Sequence, residues 1–430
     1  MTANYQVLEE YIKEKMINHT IPGIAIGILQ NDSIIYQKGF GYRNLEEKDP
    51  VTPQTIFSIA SVTKSFIAMA ILKLAEEGKL SLQESVLKYI PEFKVTGYYD
   101  IERINIIHLL SHTTGIAPML RKEEFNSLED HINYFSSVDV DVLGDPGVYF
   151  SYSNDTFILL GIIIQRVTGK PFKNYIEENI LEPLKMLSTS FRNYERMKNK
   201  EITTPYQFST TGLSLESIAW SRLGNYEVGG GLYSNVIDLM QYGKTYFSPD
   251  NQFLSEMWNP THQLSGDLFY GYGLFVTQNY HNLSLVEHGG SQPGFSSHFG
   301  IVPEHNIAVA VLSNLSGVPC SDIWLAAVNI TLGIPMHKKR ITESRYNIQI
   351  NKLDKFLGTY SSIEGNSIKV YLVNNQPRAL IKREEFELIA IEKDSFMIYK
   401  TNKTLRFFSE NGKKAWAVFN GNQMLRRIED

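Results

Sequence analysis

Apolar residues recur along this chain with two different periods, and the switches between the periods mark its elements. Residues 4–19 carry apolar positions at helical spacing among Glu9, Glu10, Lys13, Glu14 and Lys15, which predicts an amphipathic helix. Ile24–Gln30 and Ser33–Tyr42 then read as two strands joined at Asn31-Asp32, a pair suited to the positive φ of a tight hairpin. Val62, Phe66, Ile67, Met69, Ala70, Ile71 and Leu74 leave almost no polar face, the pattern of a buried central helix that Gly78 stops. Asp155–Thr168 predicts another helix, with Asn154 or Asp155 as its cap, Gly169 at its end and Pro171 beyond. Asn235–Phe247 predicts a further one.

Strands resume late. Leu283–Glu287, Ser297–Val302 and Ile307–Ser313 are short and apolar-rich, and Asp322–Leu332 reads as a closing helix. The order is helix, strands, helices, strands, helix. An α+β fold follows: one antiparallel sheet built from both ends of the segment, with packed helices and a helical insert covering one side. The expected boundaries are a catalytic domain at 1–335, a polar and basic linker at 336–351, and a C-terminal domain at 352–430. In that last part Ile368, Val370 and Leu372 alternate, as do Phe386 and Leu388, Leu405 and Phe407, and Trp416 and Val418. Asn374-Asn375, Asn402-Lys403, Asn411-Gly412 and Asn420-Gly421 punctuate them. About eight strands fit, which suggests a small antiparallel β-barrel, because closure removes exposed edges. No titratable cluster suited to catalysis occurs there, so the barrel reads as a module for capping, substrate gating or homo-oligomer assembly.

Composition narrows the function classes. The 430 residues are 43% hydrophobic, enough for sizeable cores. Forty-one basic against 46 acidic residues give a net charge of −5, with no basic footprint for nucleic acid. A single cysteine, Cys320, excludes an internal disulfide framework and fits a reducing compartment. The N-terminal stretch lacks the apolar core of a signal peptide. The strongest apolar run, Phe157–Ile164, is too short to span a membrane. A cytoplasmic protein without membrane or nucleic-acid partners is expected. The ten histidines show no paired ligand spacing, so neither metal nor cofactor is expected.

The candidate chemistry lies in three short groups. Ser61-Val62-Thr63-Lys64 opens the long apolar helix and places a hydroxyl and an amine one turn apart. An unprotonated amine can take the serine proton and make a nucleophile. Helix N-terminal N–H groups favour the developing anion. The same spacing at Ser85 and Lys88 runs into Pro91 and reads as surface. Tyr152-Ser153-Asn154 precedes the 155–168 helix: a phenol near a cationic lysine loses its proton more readily, and an amide can grip a carbonyl. Tyr42-Arg43-Asn44 and Tyr280-His281-Asn282 share that spacing. His288-Gly289-Gly290-Ser291 follows a strand; paired glycines admit a close backbone or ligand, and His288 could donate to a carboxylate or assist proton transfer. Each group also has a plain structural reading: Ser61 as an N-cap, Tyr152 packed in the core, His288 on a solvated glycine turn. His298 sits in an alternating apolar setting that reads as strand interior.

In their order and settings these groups resemble the serine β-lactamase and penicillin-binding-protein superfamily, especially class C β-lactamase-like esterases and D-aminopeptidases. The resemblance covers roughly residues 5–335. It extends to Ile107-His108-Leu109-Leu110-Ser111-His112-Thr113-Thr114-Gly115, Gly229-Gly230-Gly231-Leu232-Tyr233-Ser234 and Tyr272-Gly273-Leu274. It implies a β-lactamase/transpeptidase-like fold and a set of roles. Ser61 is the acylated nucleophile, and Lys64 and Tyr152 share the acid and base work. Asn154 orients the substrate, and His288 replaces the lysine of a Lys-Thr-Gly motif. Backbone N–H groups of Ser61 and Ser291 form the oxyanion hole beside Gly289 and Gly290. His112 and Gly229–Gly231 are structural. Histidine at 288 removes a fixed positive charge, so efficient β-lactam hydrolysis is not expected. The barrel resembles the lipocalin-like domain of some cytosolic peptidases of this superfamily.

The function expected is a metal-independent serine hydrolase acting through an acyl-enzyme on small amides, with short or D-residue-containing peptides first. A carboxylesterase with the same residues is the second reading. A catalytically silent binding protein of the same fold is the third. Deleting residues 352–430 is expected to leave the catalytic core chemically competent.

Overall fold

The computed structural model describes residues 5–191, 201–212, 214–340, 345–401, 403–410 and 413–428. Helix α1 (Tyr5–Asn18) leads into the hairpin of β1 (Gly23–Gln30) and β2 (Ser33–Asn44), and β3 (Asp49–Pro50) follows. Asn31 and Asp32 turn the hairpin with φ of 47° and 64°, as their short polar side chains allow. Helices α2 (Thr63–Glu76), α3 (Asn154–Thr168) and α4 (Val236–Thr245) belong to the insert. The chain then returns to the sheet through β4 (His262–Ser265), β5 (Leu268–Tyr270), β6 (Phe275–Tyr280), β7 (Leu283–Gln292), β8 (Phe295–Val302) and β9 (Ile307–Ser313), and closes with α5 (Cys320–Leu332).

The nine strands form one antiparallel sheet in the order β3-β2-β1-β9-β8-β7-β6-β5-β4. Its centre joins the two ends of the segment: Ile24 pairs with Ser313 and Gln30 with Ile307. Both faces are covered, so the central strands are apolar throughout instead of alternating with polar residues. Ile24, Ile26, Ile28, Val309 and Val311 face α1 and α5, where Trp324 donates its indole N–H to the Val309 carbonyl at 3.1 Å. Ala25, Leu29, Ala308 and Ala310 face the insert helices. Gly27 leaves the room that Val236 of α4 fills, since a Cβ there would lie 3.1 Å from that side chain. Helix α4 packs directly on β1 and β9, α2 packs on α4 through the stacked Phe66 and Tyr242 rings, and α3 packs on α2. Cys320 is buried, and no helix among the described residues is long and apolar enough to cross a membrane.

The remaining strands are β10 (Gly358–Ser361), β11 (Ser367–Val373), β12 (Gln376–Ile381), β13 (Glu384–Ala390), β14 (Ser395–Ile398), β15 (Thr404–Phe408), β16 (Ala417–Phe419) and β17 (Met424–Ile428). They close into an eight-stranded barrel in which β10 pairs with β17. Phe396 packs edge to face on both Phe356 and Phe407 in its core, and Phe356 meets Phe407 at a tilt. The barrel is not held at a distance. Ala417, Phe419 and Met424 form one apolar cluster with Phe150, Tyr152, Leu264 and Tyr270. Arg340, inside the span expected to be a linker, pairs with the buried Glu287 at 2.6 Å.

Candidate active site

Ser61 lies just ahead of the long helix, in a 3₁₀ turn at Ala60–Val62 that runs into α2. Ala60 takes a φ of 45°, a left-handed conformation that is costly for a residue with a Cβ. The surroundings hold it there. Ala60 N–H donates to Ser58 Oγ at 3.2 Å, Ile59 N–H to the Leu232 carbonyl at 3.0 Å, and Ser297 Oγ to the Ile59 carbonyl at 2.7 Å. Gly290 of β7 presses against the same turn: a Cβ there would lie 2.4 Å from the Ile59 oxygen. Ala60 and Val62 are buried while Ser61 keeps partial exposure. The second serine–lysine pair has a different setting. Ser85 caps a short turn, and exposed Lys88 pairs with half-buried Glu84.

Lys64 is fully buried one turn further on. Burial, and after it the Arg121 charge, holds its amine well below the usual lysine range, against the opposing pull of Asp155. Its Nζ donates to Asn154 Oδ1 at 2.7 Å and to the Gly229 carbonyl at 2.9 Å. It also stands over the rings of Tyr152 and Phe157, at 4.9 and 5.3 Å. A neutral amine has two N–H donors and one lone pair. Both donors are spent on these oxygens, which leaves the lone pair to accept. Asn154 is free for this contact because Ser153 caps α3, accepting from Thr156 N–H at 3.2 Å. That corrects the expected cap at Asn154 or Asp155.

Tyr152 is set by contacts on both sides of its backbone. His112, with a φ of 54°, accepts Ser153 N–H on Nδ1 at 3.2 Å and Ser151 N–H on its carbonyl at 2.9 Å. Its ring lies 4.2 Å from the Tyr152 ring. Burial holds this imidazole well below the usual histidine range, so it is a neutral scaffold. From the barrel, the Asn422 carbonyl accepts Tyr152 N–H at 2.9 Å, Gln423 Nε2 reaches the Tyr152 carbonyl at 3.4 Å, and Met424 N–H donates to Ser151 Oγ at 3.2 Å. The phenol is buried without a full hydrogen bond. Burial raises its pKa above the usual tyrosine value, and the Ser61 hydroxyl pulls it part of the way back. Burial therefore favours the neutral amine that the sequence reading asked of the base, and it favours the protonated phenol, which departs from the expected phenol that loses its proton beside a cationic lysine.

His288-Gly289-Gly290-Ser291 is not a glycine turn. It continues β7, with His288 opposite Phe299, Gly290 opposite Ser297 and Ser291 opposite Ser296. The turn falls two residues later, at Pro293-Gly294. Gly290 is needed for the approach to Ile59, and Ser291 is exposed at the strand's end. His288 is buried among Tyr152, Tyr270 and Phe275. Burial first, and Lys64 second, push its pKa down to about 3. Its Nδ1–H donates to the Gly289 carbonyl at 2.6 Å, which leaves Nε2 to accept from Tyr270 O–H at 3.4 Å. It supplies no positive charge. His298 is strand interior, bonded to Glu287 at 2.9 Å. Among the described residues no group of three or more His, Cys, Asp or Glu is placed to hold a metal ion.

Two participants escaped the sequence reading. Asp155 accepts Met119 N–H at 3.0 Å and Tyr226 O–H at 2.7 Å, tying the 119–122 segment to the start of α3. Arg121 lies over the Tyr226 ring at 4.3 Å, and its charge reaches both Lys64 and Tyr152. Asp155 directly follows the Tyr-Ser-Asn group, a signal that could have been used; Arg121 lies in no local pattern.

The comparisons agree with this architecture. A family model described as Beta-lactamase matches residues 8–328. "Protein flp" of Staphylococcus aureus (strain MRSA252) is 33% identical over 324 residues, 72% of this chain. The chain spans only 63% of the length of that relative. "Penicillin-binding protein 4*" of Bacillus subtilis (strain 168) is 26% identical over 400 residues, 86% of this chain and 85% of its own. The solved structure of the octameric penicillin-binding protein homologue from Pyrococcus abyssi is 32% identical, with a TM-score of 0.73 over 99% of this chain and 97% of its own. Strand order, helical insert and family match converge, and the chain belongs to the beta-lactamase family.

Proposed function

We propose that this protein is a serine hydrolase that works through an acyl-enzyme on small amides, with short or D-residue-containing peptides as the preferred class. The observation that carries the proposal is the neutral, fully buried Lys64 amine, with both N–H groups engaged and a lone pair one turn from Ser61. Lys64 takes the Ser61 proton as Oγ attacks the substrate carbonyl. Backbone N–H groups of Ser61 and Ser291 receive the oxyanion. The protonated Tyr152 phenol gives its proton to the leaving group, and Lys64 restores it. Water then releases the acyl group by the same path in reverse. Asn154 holds both the amine and the substrate carbonyl in register. The neutral His288 favours a second reading, a carboxylesterase on uncharged short acyl esters, with the same residues in the same roles.

In this proposal residues 1–335 form the catalytic domain, 336–351 the connection, and 352–430 a lipocalin-like domain. The octameric assembly in the name of the Pyrococcus abyssi homologue supports a homo-oligomer here too. The lone buried cysteine supports a cytoplasmic setting. The test is a fluorophosphonate probe, with the adduct located by peptide mass spectrometry and Ser61→Ala alongside. Labelling at Ser61 that vanishes in the variant is expected. Labelling elsewhere, or none, would favour the silent binding protein.

A further inference from the structure

The period of two in β6 turns Val276 into the core under the insert helices and Phe275 and Thr277 to the opposite face of the sheet. The barrel meets that face with one of its ends. Ile368, Ile381, Ile398, Leu405 and Leu425 point inward from β11, β12, β14, β15 and β17, and all five line one cavity together with Leu268, Phe275 and Thr277. Its volume is about 780 Å³, within the ~300–1,000 Å³ range of small-molecule sites. Ser61, Lys64, Tyr152 and His288 are not among its walls. It meets the active site at second hand. Phe275 stands 5.4 Å from the His288 ring, and Asn422 and Gln423 hold the Tyr152 backbone.

The polar wall of this cavity has donors to spare. Thr277 lies opposite Leu285, and Phe275 opposite Glu287, so Thr277 and Glu287 are diagonal neighbours on one face, about 7–8 Å apart. Glu287 holds Arg340 Nη2 at 2.6 Å, and the guanidinium lies over the Trp324 ring at 5.5 Å. Arg340 and Thr277 both line the cavity. Arg340 Nε and Thr277 Oγ1 are buried and have no hydrogen-bond partner among the described residues, and Thr277 is only 6% exposed. The acceptors of the same wall are engaged: Glu287 also binds His298 at 2.9 Å, Asp267 accepts Asn279 Nδ2 at 3.3 Å, and Glu392 accepts Ser395 Oγ at 3.1 Å. Exposed Lys382 and Lys403 complete the lining. An arginine Nε–H can only donate, so what this wall lacks is an acceptor.

We infer that the cavity is a second ligand site, distinct from the serine pocket, and that it takes a medium-chain carboxylate. The alkyl chain lies in the apolar end of the barrel, and the carboxylate accepts from Arg340 Nε and Thr277 O–H. Such a ligand bridges the barrel and the sheet, because its two ends rest on different domains. The inference does not depend on Ser61 being a nucleophile.

The test is calorimetric titration of the full chain with butyrate, octanoate and 1-octanol. Each buried CH₂ tightens binding about fourfold, so octanoate is expected to bind about two-hundredfold tighter than butyrate. The acid is expected to bind about tenfold tighter than the alcohol, the size of one charge-assisted hydrogen bond. That preference is a ratio in which changes common to both ligands cancel. It shrinks in Thr277→Val and in Arg340→Lys, while Ile381→Glu weakens both ligands. A diazirine at the far end of the octanoate chain, photolysed and mapped by peptide mass spectrometry on the parent protein, marks the barrel strands β12 or β14; this arm needs no variant to fold. Absence of octanoate binding at about 2 mM overturns the site. So do equal affinities for acid and alcohol, a preference unchanged in both polar variants, or photolabel confined to the surroundings of Ser61.

Discussion

Gly229→Ala isolates the position of the Lys64 amine. A methyl carbon at 229 would lie 2.7 Å from Nζ and 3.2 Å from Cε, with no backbone atom among its nearest contacts. To reach a contact of ~3.5 Å, the amine must withdraw by about 0.8 Å. That displacement breaks the short bonds to the Gly229 carbonyl and Asn154 Oδ1 and turns the lone pair away from Ser61. A misplacement of this size costs about 10²-fold in kcat, or roughly 2.7 kcal/mol of barrier. Folding loses little. The crowded atom is the end of a flexible side chain, an overpacking cost of about 1 kcal/mol. Alanine also gains about 1 kcal/mol over glycine in the short helix Glu227–Gly230. The expected result is a Tm within about 3 °C of the parent by circular dichroism, with kcat on a p-nitrophenyl ester down about a hundredfold. A variant that keeps more than a third of its kcat would show that the amine's place does not matter. A Tm lowered by tens of degrees would show that the crowding is not local.

Tyr152→Phe should retain fluorophosphonate labelling at Ser61 but slow amide turnover about 10²–10³-fold, because only the leaving-group proton is lost; an unchanged amide rate, read by p-nitroanilide release, would return that role to Lys64. Acid titration of stability should show a contribution from Glu287. Its burial alone would raise the carboxyl pKa, but Arg340 and His298 bring it down to about 2. Its stabilisation is therefore complete above about pH 4.5 and fades as pH falls toward 2. Glu287→Gln should destabilise the protein by roughly 3 kcal/mol at pH 7 in urea melts and flatten the curve below pH 4.5, and a wild-type curve would refute the pairing. Ending the chain at residue 351 should abolish most turnover, because Tyr152 then loses the Asn422 and Gln423 contacts and Phe150 loses the Phe419 packing. Retention of full kcat by the truncated protein would separate the barrel from the site.

That last expectation reverses what the sequence suggested, and the reason is physical. Local chemistry was readable where a residue type meets a local demand. Asn31-Asp32 turned a hairpin, and Gly169 closed α3 with a φ of 70°. The Ser61–Lys64 spacing was readable because a helix imposes it, and the serine at 85 was separable because its short segment runs into Pro91 instead of opening a long apolar helix. Gly289 and Gly290 left a turn and a close approach both open, because glycine serves either; the close approach holds at Gly290, and its partner Ile59 comes from another element. Lys382 and Arg383 turn β12 into β13 with φ of 47° and 71°, yet neither is a turn residue by type. The charges of Lys64, His112 and His288 were illegible for a different reason. They follow from burial, a property of the packed core.

The clamp on Tyr152 also has a consequence in time. Gln423 follows Tyr152 by 271 residues. At about 5–20 residues per second, a ribosome needs about 15–55 seconds to make the partner after it has made the tyrosine. The sheet can close earlier, once β9 emerges to pair with β1. A nascent chain would therefore hold a folded sheet and a seated serine while Tyr152 still lacked one wall. On the proposed mechanism, competence would wait for residues 422–424. The order of synthesis would thus delay activity until the barrel has joined the sheet.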